Sequence, residues 1–333
     1  LGQDLRDGAQ AYFDQVNAQG GIHGRKIVLK TLDDGYEADR AAANTKQLIE
    51  QDHVFALFGY VGTPTSNASL AAVSKAQIPF FAPFTGAQSL REPFNRNIFH
   101  IRAGYFEETE KIIEQLTTLS NKRIAVFYQN DAYGKAGLEG VMRALKKRNL
   151  EVVGIGTVER NSVDVTAAVS KIRQSDPQAV VMISAYTSCA AFIKAMKAEG
   201  AQPQFWNISF VGTQALAREL GADGLGVGIS QVMVAPWEDI NPVVKEYKQL
   251  YLHAGSNREV GYVSLEGFIA AKALVEGLRR AGPALTRDGL VKALESMSAY
   301  DTGGFVVRFG PNRHTGSSFV DLTMISKNGK FLH

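Results

Sequence analysis

The run Val180-Val181-Met182-Ile183 has no polar face, and it is one of a series along the chain. A strand that is apolar on both sides must be covered on both. Alternation with helices is how parallel sheets achieve this. Residues 3–18 set Leu5, Ala9, Tyr12, Phe13 and Val16 on one helical face. They stop at Gln19-Gly20-Gly21, where glycine suits a left-handed cap. The patterning then predicts strands over 26–32, 54–58 and 78–82, with helices over 38–49 and 64–76. Pro64 stands near a helix start, where its missing N–H costs little. Beyond residue 105 helices are predicted over 107–119, 137–147, 165–173 and 190–199. Strands over 123–128, 152–158, 179–184 and 205–210 alternate with them.

That is more strand than one doubly wound domain holds comfortably, and 333 residues suffice for two. The fold class is therefore α/β, with two doubly wound parallel-sheet lobes. After Val234-Ala235-Pro236 the pattern changes to three helical segments, 242–253, 262–281 and 287–297, without strands between them. Residues 305–309 and 319–325 read as tail strands, and Asn328-Gly329 as a hairpin turn. Helices without their own strands can complete an earlier sheet, so the chain is expected to return to its first lobe. No low-complexity linker separates the lobes, which points to a hinge with several crossings. The chain opens inside a helical pattern at Leu1, so a first strand and any export signal are expected upstream of it.

Composition excludes several classes of function. There are 36 basic and 33 acidic residues, a balance that does not call for a polyanionic partner, and no nucleic-acid surface is visible. The single cysteine, Cys189, can form neither an internal disulfide nor a metal site. The histidines are scattered without metal-ligand spacing, so no metal or cofactor is expected. No P-loop, His-Glu-x-x-His or Gly-x-Ser-x-Gly occurs. Gly224-Leu225-Gly226-Val227-Gly228 lacks the third glycine of a dinucleotide loop and opens a strand. Asp33-Asp34 reads as a solvated strand end, and no enzymatic activity is expected.

In open α/β sheets ligands bind beyond the carboxyl ends of the strands. There, Gly59-Tyr60-Val61-Gly62-Thr63-Pro64-Thr65-Ser66 combines small residues and hydroxyls before a helix. Hydroxyls and free N–H groups at such a place suit a carboxylate, although capping of the helix by Thr63 uses the same groups. Pro83-Phe84-Thr85-Gly86-Ala87 follows the next strand. Later strands lead to Asp131-Ala132-Tyr133-Gly134, Ala185-Tyr186-Thr187-Ser188 and Val211-Gly212-Thr213. Tyrosines at two strand ends suit the walls of a small-ligand site.

Asn17-Ala18-Gln19-Gly20-Gly21-Ile22-His23-Gly24-Arg25, Asp33-Asp34, Phe58-Gly59, Phe81-Ala82-Pro83, Arg123-Ile124-Ala125-Val126 and Asp131-Ala132-Tyr133-Gly134 together resemble the leucine/isoleucine/valine-binding protein family. These are solute-binding subunits of ABC importers with the type I periplasmic-binding fold. The resemblance covers essentially the whole chain. It implies a periplasmic protein, or an extracytoplasmic membrane-anchored one in a Gram-positive host. It also implies two lobes joined by three crossings near 103–105, 233–236 and 310–318, with a small solute captured in the cleft by hinge closure. The first lobe is then 1–103 with 236–312, and the second 104–235 with 313–333. A small amino acid, aliphatic by preference, is the implied ligand. Another small carboxylate or an amide, and a sensing role, are the alternatives. A membrane permease is the implied partner.

The resemblance also implies residue roles. Thr63, Phe84, Thr85 and Gly86 look like the grip on the ligand backbone, and Tyr133 and Tyr186 like the second-lobe closure. Leu1, Val61, Gly62 and Tyr262 look like side-chain pocket positions, with Tyr105 at the first crossing. Ser209 stands where family members place an acid for the ligand ammonium. If an ammonium is bound, tyrosine faces and backbone carbonyls can serve it, or a carboxylate from elsewhere such as Glu107, Glu108, Glu238 or Asp239. Tyr36 and Gly62 occupy the positions of a disulfide found in some members.

Overall fold

The computed structural model describes residues 1–255, 258–327 and 330–332. In chain order the elements are α1 (Gly2–Ala18), α2 (Ala38–Glu50), β1 (Leu57–Phe58), α3 (Thr63–Ala76), β2 (Phe80–Phe81) and β3 (Ile98–Phe99). There follow α4 (Tyr105–Thr118), β4 (Ile124–Gln129), α5 (Ala132–Lys146), β5 (Val152–Val158), α6 (Thr166–Gln174), β6 (Ala179–Ile183), α7 (Tyr186–Ala198), β7 (Gln204–Asn207), α8 (Thr213–Leu220) and β8 (Gly228–Gln231). The chain ends with α9 (Pro242–His253), α10 (Tyr262–Ala281), α11 (Arg287–Glu295), β9 (Tyr300–Asp301), β10 (Val306–Val307), β11 (Asp321–Ile325) and β12 (Phe331–Leu332).

Two compact units emerge, Leu1–Thr85 with Ser89–Ala103 and Met233–Ser318, and Gly86–Gln88 with Gly104–Val232 and Phe319–His333. In the first, β1, β2 and β3 form a parallel sheet in that order, with Leu57 opposite Phe80 and Phe80 opposite Ile98. Phe80 and Ile98 pack with Leu48, Val73 and Leu90 in a buried cluster. On the α1–α10 contact glycine permits close approach. A Cβ on Gly8 would stand 1.9 Å from the Ser264 carbonyl oxygen, and one on Gly267 would stand 2.0 Å from that of Leu5. The helix α10 is consequently buried along most of its length, which is why a helix without a neighbouring strand belongs in this lobe.

The second unit holds a seven-stranded sheet in the order β12-β11-β8-β7-β6-β4-β5. Strands β4 through β8 run parallel, and at one edge β11 pairs antiparallel with β8 and β12 antiparallel with β11. All five residues of β6 are buried, as an apolar run covered on both faces should be. One face buries Phe127, Met182, Phe205 and Ile229 with Ile172, Phe192 and Leu216 of α6, α7 and α8. The chain passes from β4 to β5 on one side and then to β6 on the other. This is a topological switch point, where the following loops diverge.

Several expectations need correction. Residues 26–32 form no strand. The Asn17 side chain takes both the N–H and the C=O of Ile27, at 2.8 Å each, in place of a strand partner, and Val28 is left 86% exposed. The strand expected over 205–210 ends at Asn207, and Ser209–Val211 turns into a short 3₁₀ helix. The helix α8 is additional to the expected set, as are β3, β9 and β12. Residues 233–235 and 313–318, assigned to the second lobe from the sequence, group with the first. For 313–318 the reason is pairing with the end of β3: His100 N–H bonds the His314 carbonyl at 2.8 Å, and Gly316 N–H bonds that of His100 at 2.7 Å. The expected Asn328-Gly329 turn lies outside the described residues.

Candidate functional site

In the first lobe the loops after β1 and β2 continue side by side. Phe84 N–H bonds the Tyr60 carbonyl at 2.7 Å, Gly62 N–H bonds that of Phe84 at 3.2 Å, and Val61 bridges to Phe84. This extension brings Thr63 and Thr85 together, with their Oγ atoms 2.7 Å apart and neither residue exposed. Thr63 is the first residue of α3 and Gly62 its N-cap, so the Thr63 hydroxyl serves the pair rather than capping the helix. One turn on, Ser66 Oγ is buried without a hydrogen-bond partner among the described residues. Thr65 Oγ donates back to the Gly62 carbonyl at 3.0 Å and also to that of Val61, tightening the turn.

Gly62 has φ +102°, where a side chain is strained, and a Cβ there would stand 2.3 Å from Tyr36 Cε2. The two positions associated by resemblance with a disulfide are thus in contact as an aromatic ring seated on a glycine. Behind Tyr60, its hydroxyl, Thr45 and Ser69 form a chain with 2.9 and 2.8 Å links, and burial pushes the Tyr60 phenol up to about 12. The ring of Phe84 is buried under the Arg102 guanidinium, 4.0 Å from its centroid. Arg102 in turn forms a bidentate pair with Glu266 of α10, at 2.8 and 2.7 Å. The start of α1 lies against Val61, since a Cβ on Gly2 would be 3.7 Å from Val61 Cγ2. Leu1 is thereby adjacent to this group. Tyr262, the first residue of α10, packs edge-on to Trp237 with ring centres 5.3 Å apart.

In the second lobe Gly86 and Tyr105 meet at 2.7 Å through Tyr105 N–H and the Gly86 carbonyl. A Cβ on Gly86 would stand 2.6 Å from the Tyr105 ring. The Tyr105 ring is 5.6 Å from that of Tyr133, which is 4.5 Å from that of Phe210. Asp131 caps α5 through Tyr133 N–H at 2.9 Å, which fixes the placement of the Tyr133 ring. Tyr186 opens α7, half-buried, and packs on the lobe core. Tyr133 and Tyr186 follow β4 and β6, the two strands on either side of the switch point.

Ser209 is engaged through two groups. Its N–H and Oγ donate to Glu108 at 2.8 and 3.0 Å, and Ser230 Oγ donates to the same carboxylate at 2.6 Å. Glu108 has no exposure and lies in the first turn of α4, where the helix dipole favours an anion. It is therefore the acid that stands beside Ser209. Of the other candidates, Glu107 accepts from Gly104 N–H at 3.0 Å and serves its own helix start. Asp239 is exposed beside Lys248 at 2.9 Å, and Glu238 is also exposed.

The structure thus groups Val61, Gly62, Thr63, Phe84 and Thr85 in one lobe, and Gly86, Tyr105, Tyr133 and Ser209 in the other. Tyr262 stands on its own wall with Trp237. Sequence reasoning missed Arg102, Glu266, Ser230 and Trp237. For Arg102 the available signal was a charge directly after Ile98-Phe99-His100-Ile101, a stretch apolar but for His100. Among the described residues no group of His, Cys, Asp and Glu is arranged to hold a metal ion. No helix among them is long and apolar enough to cross a membrane.

Comparison with known proteins agrees with this architecture. A family model described as periplasmic binding protein matches residues 1–330. A possible leucine/isoleucine/valine-binding protein from Rhodopirellula baltica SH 1 has a similar structure, with a TM-score of 0.95 at 32% identity over 100% of this chain and 92% of that one. A substrate-binding periplasmic protein from Ralstonia solanacearum gives 0.93 at 33% identity, covering 99% of this chain and 95% of that one. An amino acid binding protein of Pseudomonas aeruginosa is 24% identical over 287 residues, 85% of this chain and 75% of its own length.

Proposed function

The chain belongs to the periplasmic binding protein family, a family of solute-binding proteins rather than enzymes, and from that premise we propose that it is the extracytoplasmic receptor of an ABC importer for a small amino acid. The observation that carries this reading is the Thr63–Thr85 hydroxyl pair at the start of α3, 2.7 Å apart on a loop that only glycine at 62 allows. Preset hydroxyl donors beside a helix N-terminus suit the carboxylate end of such a ligand. Glu108 and the Tyr105–Tyr133–Phe210 rings supply the acidic and aromatic character that an ammonium requires. Capture by hinge closure, delivery to a membrane permease and a preference for aliphatic side chains belong to the same proposal. The Pseudomonas relative, described as an amino acid binding protein, supports it.

One observation favours a second reading. Three protein donors already occupy Glu108, which leaves little of its accepting capacity for an ammonium. On that reading the ligand is a small carboxylate without an amine. A thermal-shift screen separates the two, because a ligand that binds only the folded state raises its melting temperature. The amino-acid reading expects a rise with leucine, isoleucine or valine and none with their 2-oxo counterparts. A rise with the oxo acids or aromatic acids alone would transfer the proposal to the second reading. No rise with any of these solutes would remove both.

A further inference from the structure

Asp33 and Asp34, read from the sequence as a solvated strand end, build a turn instead. Asp33 Oδ1 accepts from Gly35 N–H at 2.9 Å, and Asp34 Oδ1 from Tyr36 N–H at 2.8 Å. Glu37 N–H closes the turn on the Asp34 carbonyl at 3.0 Å. Both inner residues have positive φ, +58° at Gly35 and +59° at Tyr36, as a type I′ turn requires. Glycine suits that conformation, whereas a bulky aromatic residue rarely adopts it. From α2, Arg40 Nη2 and Asn44 Nδ2 both donate to the Asp33 carbonyl, at 3.1 and 3.2 Å. The turn is thus fixed on either side of Tyr36, whose own backbone disfavours the shape it is given. Strain of this kind persists only where the surroundings enforce it, and it gathers at functional sites.

What the turn delivers is the ring. A Cβ on Gly62 would stand 2.3 Å from Tyr36 Cε2 and 3.1 Å from Tyr36 Cδ2. The ring edge therefore fills the direction in which any other residue at 62 would carry its side chain. Gly62 is the N-cap of α3, and the start of that helix hangs on it. Its N–H bonds the Phe84 carbonyl at 3.2 Å, and its carbonyl accepts from Ser66 N–H at 3.1 Å and from Thr65 Oγ at 3.0 Å. The next residue is Thr63, with its hydroxyl 2.7 Å from that of Thr85. Glycine has wide backbone freedom, so it is a poor anchor for a preset hydroxyl pair unless a neighbour restricts it. We propose that Tyr36 is a positioning residue for the candidate ligand grip: seated on Gly62, its ring holds the first turn of α3 so that the Thr63 and Thr85 hydroxyls stay set for a carboxylate. Its consequence for binding rests on the amino-acid reading, and its geometry on the first lobe alone.

The test compares Tyr36→Gly and Tyr36→Phe with the parent in the full chain. Glycine suits the positive φ and removes only the ring, so the turn is kept, and phenylalanine restores the ring. Hydrogen exchange at the Gly62 and Ser66 amides is expected to quicken in Tyr36→Gly and to return to the parent rate in Tyr36→Phe, with the amides of α2 and α10 unchanged. Titration with leucine is expected to show Kd raised about 2- to 10-fold in Tyr36→Gly, the equivalent of one net hydrogen bond, and the parent Kd in Tyr36→Phe. Exchange that is unchanged at Gly62 and Ser66, or faster throughout the lobe, overturns the proposal, since the ring would then be idle or a general packing group. Failure of Tyr36→Phe to restore the parent rate, or a Tyr36→Gly chain that keeps the parent Kd for leucine, overturns it as well. A parent chain that binds no leucine counts against the amino-acid reading instead, and the exchange comparison then upholds or overturns the positioning role by itself.

Discussion

Replacing Thr63 by Val keeps the shape of the side chain and removes one hydroxyl from a buried pair. The two oxygens are 2.7 Å apart and neither residue is exposed, so the change leaves Thr85 without this bond. A net hydrogen bond contributes about 1 kcal/mol, and a buried group left short costs about 1–3 kcal/mol. Urea denaturation of Thr63→Val should therefore show a loss of about 1–3 kcal/mol. Thr63→Val/Thr85→Val removes both hydroxyls and should recover part of that loss, because removing both partners of a buried pair approaches neutrality. Binding responds differently. A hydrogen bond to a carboxylate is worth about 1.5–3 kcal/mol, so calorimetric titration with a solute found in the thermal-shift screen should show Kd raised about 10- to 150-fold. The double variant should bind no better than the single one. A variant that loses stability yet keeps the Kd of the parent chain would refute the reasoning, since the pair would then be structural and the ligand would be held elsewhere.

Glu108→Ala strands two hydroxyls and one N–H, and should cost on the order of 3 kcal/mol or more in urea denaturation, while Ser230→Ala, which removes a single donor, should cost about 1; equal losses would contradict the three-donor geometry. Glu266→Ala leaves the Arg102 guanidinium buried without its bidentate partner and should cost about 3–5 kcal/mol, whereas Arg102→Met/Glu266→Leu should cost distinctly less. Burial holds the imidazoles of His100 and His314 below their usual range. The folded chain thus carries both neutral while the unfolded chain, titrating near about 6.5, binds more protons. Their contribution is complete above that pH and is lost as pH falls below it, even though Glu295, 3.4 Å from His314, opposes the shift. His100→Asn should flatten the fall in denaturation midpoint between about pH 7.5 and about pH 5; an unchanged slope would show that other groups carry it.

Local pattern made much of this chain legible. The β6 run is apolar because α-helical layers cover both faces, and α1 shows its period because one stripe packs on α10. The reading failed where a side chain replaced a ladder. Lys26 to Leu32 has strand composition, but Asn17 rather than a neighbouring strand takes the Ile27 backbone groups. It also failed past Asn207, where Ile208, Ser209 and Phe210 have the composition of a strand yet turn to bring Ser209 to Glu108. The grouping of candidate residues was legible where they are close in sequence to strand ends, as with Thr63, Thr85 and Tyr133. Glu108 could be named only as one acid among four, because its donors lie 101 and 122 residues away. Arg102 and Glu266, separated by 164 residues, left no joint signal.

The candidate residue groups of the two lobes differ in electrostatic sense, and on the proposed function that difference bears on the choice of ligand. In the first lobe, hydroxyls gather at the start of α3, and the nearby cation, Arg102, is bound to Glu266 while its face covers Phe84. The charge there is balanced, so an arriving carboxylate meets hydroxyls and helix N–H groups rather than a strong ion pair, a setting that permits release. In the second lobe the Glu108 carboxyl group is held by Ser209 and Ser230, and the rings of Tyr105, Tyr133 and Phe210 follow one another. On the proposed function, a monocarboxylate without an amine would gain nothing from that carboxyl group. On the proposed function, a zwitterion is the solute whose two charges suit these two groups of residues. On this argument Glu108→Gln, which keeps the side chain's shape and can still accept from one serine, should weaken binding of an amino acid and narrow the preference for it over its 2-oxo counterpart. An amino-acid affinity unchanged from the parent chain, measured by titration, would mean that Glu108 only shapes the Ser209 turn and contributes nothing to selectivity.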